Sequence, residues 1–178
     1  MAQAFLIKGN NPLKGEIRLA GSKNAATKMM VAGLLTAGKV VLDNFPRIGD
    51  TEITAELCRN VGSKIKIRGH RLEIQTPKII NYRVKQLSRR NRIPILALGP
   101  LLNRVGKAEV PVLGGDKIGH RPIDFHIGAL TKMGAKIAVK DSVYRAEANG
   151  LRGANILLSY PSVGATENII LAAVLAKG

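Results

Sequence analysis

The stretch AATKMMVAGLLTAG at residues 25–38 decides the fold, because a related stretch returns later in the chain. It aligns without a gap on ATENIILAAVLAKG at residues 165–178, at an offset of 140. Both stretches consist largely of helix-forming residues and end in glycine, which commonly closes a helix. A third helix-like stretch, RIPILALGPLLNRVG, lies between them at residues 92–106. The sequence therefore predicts an internal repeat.

A second pair of segments sets the period of that repeat. Residues 53–67 resemble residues 123–139, with Gly62 and Gly134 in equivalent positions at an offset of 72. In each segment, apolar residues at helical spacing are followed by glycine and then by a strand-like run. The period is near 70, and each unit is predicted as helix, strand, helix, strand, strand.

The predicted bounds follow from this pattern. The first unit has helices over about 22–37 and 50–61, a strand over 39–43, and strands over 64–68 and 72–76 joined by a hairpin at Gly69–His70. The second unit repeats this from Arg92 to about 148, and the third begins near Asn155 with a strand and one helix. About two and a half units leave apolar surface and a sheet edge uncovered. We therefore expect the chain to be a fragment of a longer protein, or something else to cover that edge.

The composition is that of a folded globular chain. Of 178 residues, 46% are hydrophobic and 22% charged, and no apolar run has the length of a membrane span. The opening residues carry no evident secretory signal, which predicts a cytoplasmic protein. The single cysteine, Cys58, cannot form an internal disulfide and is predicted to be a buried packing residue.

The positive charge is concentrated in one part of the chain. Residues 59–92 hold eleven Lys or Arg and one acid, Glu73, within a total formal charge of +16. Such a field attracts anions. Tyr82 is the one aromatic residue in the segment, which disfavours nucleic-acid binding by base stacking. A non-catalytic basic module that binds nucleic acid or other anions remains an alternative.

Three predicted helix starts share one position in the repeat. They follow GSKN at 21–24, carry Arg92, and follow Ser162, Val163 and Gly164. Helix N-termini bind anions through free backbone N–H groups, and these starts would converge if the units pack around a pseudo-threefold axis. Alternatively, Ser22 and Ser162 are ordinary N-caps.

A glycine-rich polar segment, GGDKIGHRPID at 114–124, precedes the second predicted helix of unit two. Adjacent glycines allow close approach to a ligand, Arg121 supplies a cation, and Asp116 supplies a potential proton donor. The segment suits a lid over an anionic substrate, and it equally suits a charged surface turn.

Taken together, four motifs resemble those of the enolpyruvyl transferases. They are GSKN at 21–24, Arg92 ahead of ALGP at 97–100, GGDKIGHRPID at 114–124 and PSVGATEN at 161–168. The resemblance implies an α/β (α+β) fold, an inside-out α/β barrel of βαβαββ units around a pseudo-threefold axis. It also implies that residues 1–20 are strands of another domain. Residues 21–178 would then be an incomplete domain with units of about 21–82, 83–150 and 151–178.

The same resemblance implies an activity, the transfer of an enolpyruvyl group from phosphoenolpyruvate to an acceptor hydroxyl, without a cofactor or metal. Asn24 after Lys23, and RPID at 121–124, favour the branch acting on UDP-N-acetylglucosamine in peptidoglycan synthesis over the branch acting on a shikimate phosphate. The implied phosphoenolpyruvate ligands are Lys23, Asn24, Arg92 and Arg121. The implied UDP-N-acetylglucosamine ligands are Asn24, Arg92, Arg121, Pro122, Ile123, Asp124, Phe125, Ser162, Val163 and Gly164.

Asp116 is the implied proton donor and the main departure from the family pattern. Relatives usually carry a cysteine here, which the epoxide antibiotic fosfomycin alkylates, so Asp116 predicts insensitivity to fosfomycin. Tyr160 stands where many relatives have lysine. The family's general base lies in a C-terminal part with no counterpart among these residues, so the chain alone is expected to be inactive. Neither a membrane nor a nucleic acid is expected as a partner.

Overall fold

The computed structural model describes residues 4–84, 87–88, 91–112, 114 and 123–178. The order of elements is helix, strand, helix, strand, strand, given twice and followed by a further helix, as predicted. The first unit contains α1 (Lys23–Ala32), β1 (Lys39–Leu42), α2 (Gly49–Val61), β2 (Lys64–Arg68) and β3 (Arg71–Gln75). The remainder contains α3 (Leu98–Val105), β4 (Lys107–Pro111), α4 (Asp124–Lys132), β5 (Lys136–Lys140), β6 (Val143–Glu147) and α5 (Val163–Ala173). Short 3-10 helices follow α1 at Gly33–Leu35 and precede α3 at Pro94–Ala97.

Glycines end the helices where the repeat predicts them. Gly62 after α2 has φ 117°, and Gly134, just beyond α4, has φ 96°. This left-handed conformation is costly for residues that carry a Cβ. After α2 the N–H of Ser63 donates to the carbonyl of Cys58, which closes the helix end. Each of the two equivalent glycines therefore ends its helix and lets the chain change direction into the following strand.

Each unit forms one three-stranded antiparallel sheet, in the orders β1-β3-β2 and β4-β6-β5. The registers are equivalent, since Gln75 lies between Lys39 and Lys64, and Glu147 lies between Lys107 and Lys136. The predicted hairpin between β2 and β3 is confirmed. Helix, sheet and register are thus repeated across the two units.

Helix α3 contacts α5 and the 3-10 helix that follows α1, and an ion pair links α1 to α5. The Arg104 guanidinium in α3 donates to the carbonyl of Leu34 at 2.9 Å, and Asn103 donates to that of Ala172 at 2.9 Å. Lys28 of α1 forms an ion pair with Glu167 of α5 at 3.5 Å. These contacts link the first helices of the three units.

The third unit differs from the prediction near Asn155. No strand forms over residues 153–161, and an isolated parallel bridge joins Arg152 to Lys177 instead. A similar parallel bridge joins Arg83 to Glu109 beside β4. The strand predicted near Asn155 is therefore wrong, because the backbone pairing found in this region is confined to one bridge.

Residues 4–20 form neither helix nor strand, and their apolar side chains, such as Phe5 and Leu13, are almost fully exposed. Their assignment to another domain stays a prediction. Cys58 is fully buried, as predicted, and burial raises the pKa of its thiol to about 12. Among the helices formed by the described residues, none combines the length and apolarity needed to cross a membrane.

Candidate functional site

The N-terminus of α1 lies close to the backbone at Asn44. A Cβ at Gly21 would lie 2.0 Å from the carbonyl oxygen of Asn44, so only glycine fits this backbone path. Ser22 is the N-cap of α1, and its hydroxyl accepts from the N–H of Ala25 at 3.4 Å. Lys23 and Asn24 follow in the first turn, both exposed. The local sequence therefore presents an amine and an amide at a capped helix N-terminus.

Lys23 has an acidic neighbour that the sequence analysis missed. Its Nζ lies 3.0 Å from Oδ2 of Asp50, in the first turn of α2. The lysine side chain is 59% exposed and the aspartate 35%. An exposed pair of this kind contributes little stability, but it fixes where the ammonium group lies.

The third helix start has the same cap as the first. The hydroxyl of Ser162 accepts from the N–H of Ala165 at 3.3 Å, and Ser162 is the N-cap of α5. Val163 is 77% exposed, and a Cβ at Gly164 would lie 3.6 Å from Cε1 of the His126 imidazole. The cap leaves other N–H groups of this turn without intrahelical partners, as at every helix start.

Arg92 lies on the segment that leads into the second helix start. Its neighbour Asn91 is buried and accepts the N–H of Ile93 at its side-chain oxygen, at 3.1 Å. The backbone carbonyl of Asn91 accepts the N–H of Gly114 at 3.0 Å. The beginning of the glycine-rich segment is thereby held beside Arg92.

His126 interacts with residues near both the second and the third helix start. It is buried on α4, and its Nδ1 lies 3.2 Å from the amide Nδ2 of Asn168 on α5. Burial, and then the positive charge of Arg92, lower the pKa of His126 below its ordinary 6.5. The imidazole is therefore neutral at pH 7, and the Asn168 amide donates to Nδ1. Four residues lie near one another here: Arg92, His126, Gly164 and Asn168. They are called the Arg92–His126 cluster.

The predicted site residues are therefore gathered in part. His126 lies beside the start of α5 and near enough to Arg92 for that charge to lower its pKa, and the first helix is tied to α5 by the ion pair between Lys28 and Glu167. At the start of α4, Asp124 is exposed, and Ile123 and Phe125 are half-buried. Tyr160 is 71% exposed. Asp116, Arg121 and Pro122 lie outside the described residues.

The sequence analysis assigned no role to His126, Asp50 or Asn168. A signal was present, because His126 shares the buried face of α4 with Ala129 and Leu130, where a polar side chain needs a partner. Asn168 lies likewise on the buried face of α5, and its Oδ1 finds no hydrogen-bond partner among the residues that the structure describes. No group of three potential metal ligands occurs in the part of the chain that the structure describes.

One cavity of about 340 Å³ lies elsewhere, over the outer face of the β4-β6-β5 sheet. Its lining includes Arg83, Lys107 and Arg145, with Glu109 and Glu147 between them. None of the predicted site residues lines it. The candidate site is therefore the set of helix starts rather than this cavity.

Comparison with known proteins gives consistent matches. A family model described as EPSP synthase (3-phosphoshikimate 1-carboxyvinyltransferase) matches residues 7–178. UDP-N-acetylglucosamine 1-carboxyvinyltransferase of Chlamydia trachomatis serovar D is 49% identical over 175 residues, which cover 96% of this chain and 39% of that protein. The protein of the same name from Corynebacterium jeikeium is 42% identical, over 100% of this chain and 43% of its own length. The chain thus spans about two fifths of the length of these relatives.

Solved structures share the fold. The enolpyruvyl transferase NikO from Streptomyces tendae matches with a TM-score of 0.75 at 19% identity, over 92% of this chain and 39% of that chain. EPSP synthase from Acinetobacter baumannii matches with a TM-score of 0.71 at 21% identity, over 96% of this chain and 40% of that chain. At such identities the likeness concerns the fold alone.

Proposed function

Because this chain belongs to the EPSP synthase (3-phosphoshikimate 1-carboxyvinyltransferase) family, we propose that its protein is an enolpyruvyl transferase acting on UDP-N-acetylglucosamine. The reaction would move the enolpyruvyl group of phosphoenolpyruvate to the 3′-hydroxyl of the sugar, in peptidoglycan synthesis. Relatives at 42–50% identity carry the name of that enzyme, which supports this acceptor. The Arg92–His126 cluster is the observation that carries the proposal for this chain.

Arg92 of the cluster, together with two predicted cations outside it, suits a doubly anionic substrate. Phosphoenolpyruvate carries a phosphate and a carboxylate, and in this proposal Lys23, Arg92 and Arg121 hold them as cations, with Asn24 beside Lys23. Charge-assisted hydrogen bonds to such groups are strong, and they gain further strength where water is excluded. The cap at Ser162 and the closeness of Gly164 to His126 favour a fixed helix N-terminus beside Arg92.

The nucleotide acceptor would lie between α4 and α5. We assign its contacts to the start of α4, at Pro122, Ile123, Asp124 and Phe125, and to Ser162, Val163 and Gly164 at the start of α5. Asn24, Arg92 and Arg121 would contact both substrates. A diphosphate is well suited to a helix N-terminus, because free N–H groups and the helix dipole both favour negative charge there.

The chemical step has two stages in this proposal. The sugar 3′-oxygen bonds to C2 of phosphoenolpyruvate and loses its proton to a base, while Asp116 gives a proton to C3. The C2–O bond to phosphate then breaks, phosphate leaves, and C3 loses a proton so that the double bond returns. Asp116 can serve as the acid only if its surroundings raise the pKa of its carboxyl above the ordinary value of about 3.9.

The arrangement of the repeat units is also part of this proposal. Two equivalent sheets and three linked helices support βαβαββ units around a pseudo-threefold axis, forming an inside-out barrel.

Binding of UDP-N-acetylglucosamine to the chain, measured by calorimetry or NMR titration, tests the proposal. We expect weak binding that Arg92→Ala weakens about tenfold, through the loss of a charge-assisted contact. Arg152→Ala removes an exposed arginine outside the cluster and serves as the matched control. Equal affinities for wild type and Arg92→Ala would contradict the assignment.

Two further outcomes separate the alternatives. The description of the family model favours a shikimate phosphate as a second candidate acceptor, and binding of that acceptor without UDP-N-acetylglucosamine would select it. Because the base is assigned to a part of the relatives that this chain does not match, we expect no phosphate release from the two substrates by the chain alone. Turnover by the purified chain would refute that expectation.

Asp116 gives an independent chemical test. A carboxylate is a poor nucleophile toward an epoxide, and the thiol of Cys58 is buried and protonated. We therefore expect no covalent adduct when the folded chain is incubated with fosfomycin and its mass is measured. An adduct that persists after Cys58→Ala would contradict this expectation.

A further inference from the structure

A row of cations follows the outer strand of the first sheet. Lys64, Lys66 and Arg68 alternate with Ile65 and Ile67 along β2, and the three cations are exposed while the isoleucines are half-buried. Since strand residues rise about 3.4 Å each, neighbouring cations in the row are about 7 Å apart. β2 is the edge of its sheet, with β3 as its partner. The row is therefore open to solvent along its whole length.

Other charges on this face of the sheet are already paired. Glu73 lies 3.8 Å from both Lys39 and Arg71, and Asp43 lies 2.8 Å from Arg71. No ion pair involves Lys64, Lys66 or Arg68 within the described part of the chain. The ion pairs of these two carboxylates are with Lys39 and Arg71. Glu73 also lies opposite Lys66 in the strand register, so the row has three cations and one carboxylate across from its centre.

The second sheet shows that the row is not a necessary product of the repeat. The equivalent strand β5 places Lys136, Ala138 and Lys140 at these positions, so an alanine interrupts the cations. The fold therefore tolerates a broken row, and the continuous one belongs to the first unit alone.

We propose that the β2 row binds the phosphate backbone of a single-stranded nucleic acid, without regard to sequence. Equally spaced cations on one extended strand match a linear polyanion better than a planar membrane surface, and their spacing is comparable to that of phosphates in an extended strand. The scarcity of aromatic residues removes base stacking but leaves phosphate contacts intact. This revises the expectation that nucleic acid is not a partner.

A purely structural role for the row makes a different prediction. Lysines on edge strands discourage pairing between sheets, and that role requires no ligand. The two roles differ in salt dependence, because each phosphate neutralised on a single strand adds about 0.7 to the slope of log affinity against log salt.

The test is fluorescence anisotropy of the 178-residue chain with a labelled short oligothymidylate over a series of salt concentrations. The triple variant Lys64→Gln, Lys66→Gln, Arg68→Gln should bind about tenfold more weakly at low salt, with a slope smaller by about 2. A control triple, Lys132→Gln, Lys136→Gln, Lys140→Gln, removes the same charge from exposed positions outside the row. We expect the control to retain the wild-type slope to within about one phosphate contact.

The other outcomes overturn the proposal. Equal losses in the two triples would mean that binding follows net charge, and an unchanged slope in the first triple would mean that the row makes no phosphate contacts. Vesicles containing anionic phospholipid that displace the oligonucleotide at equal phosphate concentration would assign the row to a membrane surface. Circular dichroism confirms that each triple is folded, and the single variant Lys66→Glu repeats the measurement with one change at the centre of the row.

Discussion

The two sheets have the same strand order and register but present different outer surfaces. In the first sheet the central strand places Arg71, Glu73 and Gln75 outward. In the second sheet the equivalent positions hold Val143, which is buried, and Arg145 and Glu147, which are exposed. On the inner face, Leu72 and Ile74 are replaced by Tyr144 and Ala146, and all four are buried. The comparison teaches that the inward positions maintain the repeat, whereas the outward positions are free to acquire separate properties.

The units also differ in how closely their helices approach one another. Where α3 meets α5, a Cβ at Gly99 would lie 2.9 Å from the backbone Cα of Ala172. Arg104 lies near the C-terminal end of the same helix and donates to carbonyls of the first unit. The contacts that join the units thus depend on a few residues of α3.

The largest effect is expected at Gly99. Gly99→Ala forces α3 away from α5, and we expect a loss of about 2–3 kcal/mol in the free energy of unfolding, measured by urea denaturation. Gly128→Ala adds the same methyl group on α4, where nothing lies within 4 Å, and should be neutral or stabilising by up to about 1 kcal/mol. If both variants behaved alike, the close approach of α3 and α5 would not be a constraint.

The next effect concerns the link between the units. Arg104 donates to the carbonyls of Leu34, Thr76 and Pro77 at 2.9, 3.2 and 3.0 Å. Arg104→Ala leaves these acceptors without their donor, and we expect a cost of about 1.5–3 kcal/mol in urea denaturation. Arg59→Ala, at an exposed position on α2, is the control and should change stability by less than about 0.5 kcal/mol. A small effect at Arg104 would mean that apolar packing alone joins the units.

The smallest expected effect is a pH dependence of stability that arises from α4 and has no counterpart at the equivalent position of α2. His126 corresponds to Thr54 at the repeat offset of 72, so only the second unit has a titrating side chain at this buried position. The pKa of His126 is lowered in the folded chain, so the unfolded chain binds the proton first and stability falls as pH drops below 6.5.

Denaturation midpoints measured over a pH series check this expectation. His126→Gln keeps a hydrogen-bonding side chain without the titration, and its profile should be flatter than that of the wild type below pH 6.5. If stability fell equally below pH 6.5 in the wild type and in His126→Gln, protonation of His126 would not be what destabilises the folded chain.

Much of the fold was predictable from pattern. The spacing of Ile53, Leu57 and Val61 identified α2, and the alternation after Gly62 identified β2, because these periodicities follow directly from helix and strand geometry. The strand predicted near Asn155 failed because pairing depends on a partner strand, and local sequence does not report whether one is aligned beside it. For the site, motifs identified Lys23, Arg92 and Ser162, but not the side chains that position them.

The sequence by itself determined the order of elements, the repeat period and the family, because each is written in the spacing of apolar residues, glycines and short motifs. The tertiary structure decided which polar groups meet. His126 reaches Asn168 across forty-two residues, and Lys23 reaches Asp50 across a helix and a strand. It also decided that Arg71 forms ion pairs with Asp43 and Glu73, whereas Lys64, Lys66 and Arg68 form none among the described residues. Such contacts join residues distant in sequence, and their energies depend on burial and distance, which appear only when the units pack.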